Sequence, residues 1–127
     1  MKKVVFVFAL LSLLTLLLVA CGGNTGSNYQ GPNTVHMGDN LFLQDKITIK
    51  KGSKLTLVDD SMQSHIIENG MWTSDGTQKP GMEPGAPKVD AQFTDGTPQS
   101  FGPFNTAGTF HLYCTVHEGM NLTVIVQ

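Results

Sequence analysis

Residues 108–127 read GTFHLYCTVHEGMNLTVIVQ, and this stretch decides the fold. Phe110, Leu112 and Cys114 fall on one phase of a two-residue repeat, with His111 and Tyr113 on the other. After a short interruption Leu122, Val124 and Val126 alternate with Thr123 and Ile125. Successive side chains of an extended strand point to opposite faces, so each run predicts a strand with one face on a core. The same period runs upstream. Ile47 and Ile49 alternate with Thr48 and Lys50, and Leu55 and Leu57 alternate with Lys54 and Thr56. Lys51-Gly52-Ser53 and Thr106-Ala107-Gly108 supply turn residues between the runs.

No segment carries an amphipathic helical pattern. Several short strands joined by Gly-rich turns predict an all-β sandwich or barrel. The phase order of the β-branched and aromatic residues argues against a disordered secreted stalk. Met71 to Gly96 is the exception, rich in Gly, Pro, Asp and Met with little alternation, and reads as a long irregular connection. With 127 residues the chain makes one domain and not two.

The N-terminus has a different grammar. Met1, Lys2 and Lys3 form a positive head, an apolar run from Val4 to Leu18 follows, and Leu18-Val19-Ala20-Cys21 closes it. Charge, apolar stretch and small-residue exit in this order predict a secretory signal over residues 1–20. The alternative is an uncleaved anchor, although a spanning helix wants roughly 20 apolar residues. Leu-Val-Ala-Cys resembles the lipobox of bacterial lipoproteins. That resemblance implies a lipid on Cys21, a tether over 21–33, and a folded domain over 34–127 outside the cytoplasm. The Gly, Asn and Ser content of Gly22 to Pro32 suits a flexible coil.

Two cysteines remain to be placed, Cys21 and Cys114. In an oxidising compartment the simplest use of a pair is a disulfide. A lipid on Cys21 removes that option and leaves Cys114 as a lone thiol that a metal would occupy.

Charge narrows the partners. Without Lys2 and Lys3, six basic residues stand against ten acidic ones, and the chain has no Arg. Nucleic-acid binding wants clustered Lys and Arg, so it is not expected here. A weakly acidic surface favours a partner with a basic docking face.

The chemistry concentrates in Cys114-Thr115-Val116-His117-Glu118-Gly119-Met120. Cys114 is on the inward phase with Phe110 and Leu112, and the loop must turn back, which brings His117 and Met120 around the sulfur. His65 opens the apolar run His65-Ile66-Ile67 and arrives from another strand. One thiolate, two imidazoles and a thioether match a His₂Cys trigonal plane with a weak axial Met, the blue-copper arrangement. Zinc disfavours a thioether, calcium and magnesium want oxygen, and no C-x-x-C-H haem attachment is present.

The segment Gly108 to Cys114, followed by x₂-His-x₂-Met, resembles the closing strand and ligand loop of the cupredoxins, the plastocyanin, azurin and amicyanin family. The short interval to Met120 is most similar to amicyanin. The resemblance covers Thr34 to Gln127. It implies a Greek-key β-sandwich and one type 1 copper ion cycling between Cu(I) and Cu(II). His65 would be the upstream ligand, Cys114 the thiolate, His117 the imidazole at the exposed edge, and Met120 the axial thioether. One departure stands out. The family commonly has Asn after the upstream His, tying down the ligand loop, and this chain has Ile66. Glu118 beside His117 would stabilise Cu(II) and favour cationic partners.

The expected function is one-electron transfer between membrane or extracytoplasmic redox proteins, with no substrate transformed. Electrons would pass through His117, with Met37, Phe42, Met62 and Val116 as the expected docking patch. The alternative is a copper chaperone or storage protein delivering metal to an oxidase. Met71 and Met82 would then be a Cu(I) relay rather than gap-fillers. A multicopper enzyme needs more than four histidines. His36 and His111 are read as surface histidines, Trp72 as a cap on a core edge, and Asp59-Asp60 as a solvated turn.

The lipobox reading makes a direct prediction. Expressed with its own leader in a bacterial host, the native chain should fractionate with membranes and carry an acylated N-terminal peptide. Cys21→Ser should lose the acyl mass and leave the lipid-anchored fraction, as read by fractionation and mass spectrometry.

Overall fold

The computed structural model describes residues 28–61 and 63–127. The signal segment, Cys21, the first part of the tether and Met62 lie outside the described residues.

Among the described residues nine strands follow one another: β1 (Thr34–Met37), β2 (Lys46–Ile49), β3 (Leu55–Asp59), β4 (His65–Trp72), β5 (Gln78–Pro80), β6 (Asp90–Phe93), β7 (Gln99–Phe101), β8 (Gly108–Cys114) and β9 (Asn121–Val126). Among the described residues there is no helix. One sheet has the order β1-β3-β7, and the other β2-β9-β8-β4-β5 with β6 also on β4. The pairs β1–β3 and β2–β9 are parallel, and the rest are antiparallel. A parallel pair needs a crossover, and here the crossover passes through the opposite sheet. The result is the all-β sandwich expected from the strand pattern.

The period-two residues close the space between the sheets. Phe110 stands opposite Val124 and Leu112 opposite Leu122 across β8–β9, and all four are buried. Val35 and Met37 of β1 join Leu55 and Leu57 of β3 in the same apolar cluster as Ile67, Phe93 and Val126 from the other sheet. Cys114 and Met120 belong to that cluster, so the loop between them begins and ends in the core.

Three expectations need correction. Leu55 and Leu57 were expected to alternate with exposed residues, but every residue of β3 is buried. Thr56 is accommodated by its hydroxyl bond to Ser100 Oγ of β7, at 2.8 Å. Tyr113, on the outward phase with His111, is only 1% exposed because Trp72 packs edge-on against it with ring centroids 6.2 Å apart. The stretch from Met71 to Gly96 is not one irregular loop. It holds the end of β4, all of β5 and all of β6. β5 shows no apolar alternation because all three of its residues are exposed, so its register comes from backbone pairing with β4 alone. That pairing is close at Gly70 (φ 131°), where a Cβ would lie 2.5 Å from the Lys79 carbonyl oxygen and 2.9 Å from the Tyr113 ring. Only glycine fits there.

Core packing predicts the stability profile. Leu57 and Leu122 are both 0% exposed, so truncating either to Ala should cost about 2–5 kcal/mol of unfolding free energy. Leu43→Ala, at a residue 58% exposed, should change it by less than about 0.5 kcal/mol. Urea titration of the three variants checks the contrast.

Candidate metal centre

β8 carries Cys114 to its end with the side chain in the core, paired in register with Ile67 of β4. The chain then reverses within a short loop. The Cys114 amide donates to the Met120 carbonyl at 3.0 Å and the Met120 amide to the His117 carbonyl at 3.2 Å. Gly119 takes φ 76°, the left-handed conformation that lets so short a loop close. His65 is the first residue of β4, two positions before Ile67, and this places its ring beside Cys114.

Three of the four side chains singled out in the sequence, His65, Cys114 and His117, come together here. Cys114 Sγ lies 3.8 Å from His65 Nδ1 and 3.5 Å from His117 Nδ1. Potential ligand atoms of His65, Cys114 and His117 all fall within 4.8 Å of one another. The two imidazole rings are tilted by 59° with centroids 4.8 Å apart. His65 and Cys114 are wholly buried, Met120 is 2% exposed, and His117 is partly exposed. His36 and His111 stay apart from this cluster, in pairs with Asp60 (2.8 Å) and Glu83 (2.7 Å).

A central ion fits these donors. Metal bonds of about 2.0–2.3 Å splayed by about 120° separate neighbouring donors by roughly 3.5–4 Å, the range seen between the sulfur and each Nδ1. A buried thiol with two imidazoles, and a buried thioether at the loop's end, is soft for zinc and suited to copper. Burial holds His65 below the ordinary imidazole pKa, with Asp59 opposing and His117 adding to the shift. The ring is thus kept neutral, the form that ligates.

The chain has the cupredoxin fold. That likeness comes from solved structures: no protein-family model matches the chain, and no curated protein matches its sequence. The reduced Cu(I) form of an amicyanin mutant superposes with a TM-score of 0.57 at 17% identity, over 78% of this chain and 85% of that one. Amicyanin from Paracoccus versutus gives 0.55 at 21% identity, over 74% and 79%. A purple cupredoxin from Nitrosopumilus maritimus gives 0.56 at 14% identity, over 74% and 98%. Sequence identities this low carry the fold and no residue roles.

Within the cupredoxin sandwich, the loop that Ile66 cannot tie by its side chain is tied by other means. The Thr115 amide donates to the Ile66 carbonyl at 2.8 Å. The Trp72 indole N–H donates to the Cys114 carbonyl at 2.8 Å. Asn121 grips Trp72 from the far side of the loop, accepting its amide at 2.7 Å and donating to its carbonyl at 2.9 Å. Gln78 of β5 donates to the Thr115 carbonyl at 3.0 Å. The extension of β4 and the whole of β5 thus brace the loop. Trp72 is more than the edge cap expected of it. No motif marks Gln78, Trp72 or Asn121 in the sequence, because each acts through a backbone group of a distant residue.

Asp59 also departs from expectation. It is no solvated turn: its side chain is 0% exposed, and Oδ1 accepts the Ser61 amide at 2.9 Å and hydroxyl at 2.8 Å. An Asp followed two residues later by Ser signals a local side-chain turn. Nothing in that signal tells that the turn is buried against His65.

These braces predict graded effects. Trp72→Phe removes one hydrogen bond and should cost about 1 kcal/mol. Asn121→Ala leaves the Trp72 amide and carbonyl without their partner and should cost about 1–3 kcal/mol. Both should speed amide exchange at Thr115 and Met120, measured by NMR, beyond the change at Leu57.

Proposed function

We propose that this chain is a type 1 copper protein that carries single electrons between protein partners outside the cytoplasm. His65, Cys114, His117 and Met120 would hold the ion. The observation that carries the reading is the wholly buried Cys114 thiol, flanked at 3.5–3.8 Å by two imidazole Nδ1 atoms of which only one ring reaches the surface. When bound, copper supplies a one-electron couple between Cu(II) and Cu(I).

The protein's own part is positional. Cys114 is fixed by the β4–β8 ladder, His65 by the start of β4, and His117 by a loop braced from Trp72 and Gln78. Donors held so firmly would move little between oxidation states. His117 offers the route to the surface, and Val116 beside it is 52% exposed. Met37 and Phe42 cannot serve in the docking patch as expected from sequence, since both are core residues at 0% and 5% exposure. Leu41 and Leu43, exposed at 47% and 58%, replace them in this reading. They follow Gly38, whose backbone reaches His65. Asp39 in that loop and Glu118 in the ligand loop are exposed acids that would favour a cationic partner. The lipid on Cys21 would confine this exchange to the membrane surface.

One observation favours copper delivery as the second reading. Met71 and Met82 line a common cavity of about 330 Å³ with His111 and Glu83, and thioethers suit Cu(I).

Absorption and EPR spectra of the copper-loaded chain separate the two. A carrier should show an intense thiolate-to-Cu(II) band that Cys114→Ser abolishes, together with a reversible couple. A delivery protein should hold Cu(I) and stay colourless. A native spectrum unchanged in Cys114→Ser would remove the ligand assignment itself.

A further inference from the structure

Asp59 is the one residue of the described chain whose side chain is both fully buried and left with an unpartnered oxygen. Oδ1 takes both hydrogen bonds from Ser61, while Oδ2 is enclosed with no hydrogen-bond partner. A buried carboxylate in this condition is costly and calls for a compensating role. His65 Nε2 lies 3.7 Å from its Oδ1.

Ser61 sets the polarity of that contact. Its hydroxyl has one hydrogen, and the 2.8 Å bond to Asp59 Oδ1 uses it. The same oxygen accepts the Gln63 amide at 3.1 Å and stands 3.4 Å from His65 Nε2. Toward His65 it can therefore only accept, as can the Gly38 backbone carbonyl that also reaches the ring. The proton of the neutral ring belongs on Nε2, which leaves the Nδ1 lone pair facing Cys114 Sγ at 3.8 Å. Outer carboxylates fix tautomer and orientation of ligating histidines in this way.

We propose that Asp59, acting through Ser61, is the positioning residue of the metal centre: it locks His65 in the Nε2–H tautomer and weights a bound ion toward its higher oxidation state. The second half rests on the copper reading above; the first does not. A carboxylate enclosed behind a ligand would, wherever it carries charge, favour the more positive state of a nearby ion. β3 of one sheet ends at Asp59 and β4 of the other begins at His65, so the connection between the sheets delivers carboxylate and imidazole together.

Two measurements on the full chain test this. Long-range ¹H–¹⁵N spectra of the metal-free protein should find His65 protonated at Nε2. After copper loading, Asp59→Asn keeps the side-chain shape and removes the charge. It should lower the preference for Cu(II) over Cu(I) by ~10-fold, read as an upward shift of about 59 mV for one electron. Ser61→Ala keeps the charge and should move the potential less than Asp59→Asn. A merely structural role would not produce that order. If Asp59→Asn does not fold, Ser61→Ala carries the test: a small shift in potential is expected, and no shift overturns the role of Ser61. Protonation at Nδ1 in the native chain, or a potential that Asp59→Asn leaves unmoved, overturns the proposal. If the chain takes up no copper, the function reading fails. A His65 ring spectrum that differs between the metal-free native and Asp59→Asn chains then supports the role of Asp59 in positioning the ring, and an unchanged one overturns it.

Discussion

The structure turns on where one sulfur is held. Cys114 is simultaneously the last residue of β8, a member of the apolar core and the start of the ligand loop. Its backbone is pinned on two sides, by Met120 across the loop and by the Trp72 indole on its carbonyl. A thiol in that position cannot swing to solvent without breaking the β4–β8 ladder. The two imidazoles come to it: His65 because β4 begins beside it, His117 because the loop is too short to carry it elsewhere.

The surrounding structure divides into two supports that act on different ligands. β5, the end of β4 and Asn121 hold the loop that carries Cys114 and His117. The β3–β4 turn, with Asp59 and Ser61, holds His65 from behind. Neither support uses the side chain of the residue after His65, where Ile66 contributes only its carbonyl. Rigidity of the loop is therefore obtained from backbone acceptors and a tryptophan, a solution that tolerates an apolar residue at that position. Because hydrogen bonds to the backbone do not depend on the acceptor's side chain, such a brace leaves few marks in the sequence.

That explains what could and could not be read in advance. Alternation in β8 and β9 revealed a half-buried hairpin and the inward phase of Cys114, since the period of a strand is a local property. The spacing of Cys114 and His117 marked a common centre, because a loop that short has nowhere else to go, and Met120 closes the same loop. His65 was legible as the residue opening an apolar run. β5 was not legible, as three exposed residues carry no pattern, and its pairing depends on Gly70. Burial of Tyr113 was missed because its cover, Trp72, comes from an extension of β4 that reads as loop. Nothing local marks Met37 and Phe42 as core residues, because their burial comes from packing in the apolar cluster between the sheets. Asp59 was misread for the same reason. Its turn is local, but its burial is tertiary.

The central claim is that a single ion sits among these donors with Cys114 as its thiolate. Diffraction from crystals of the copper-loaded chain, with anomalous data collected at the copper edge, tests it most directly. The account predicts one anomalous peak bonded to Cys114 Sγ and to Nδ1 of both His65 and His117, within the core end of the sandwich. A peak on His36, His111 or the Met71–Met82 cavity, with the Cys114 sulfur unbonded, would contradict it.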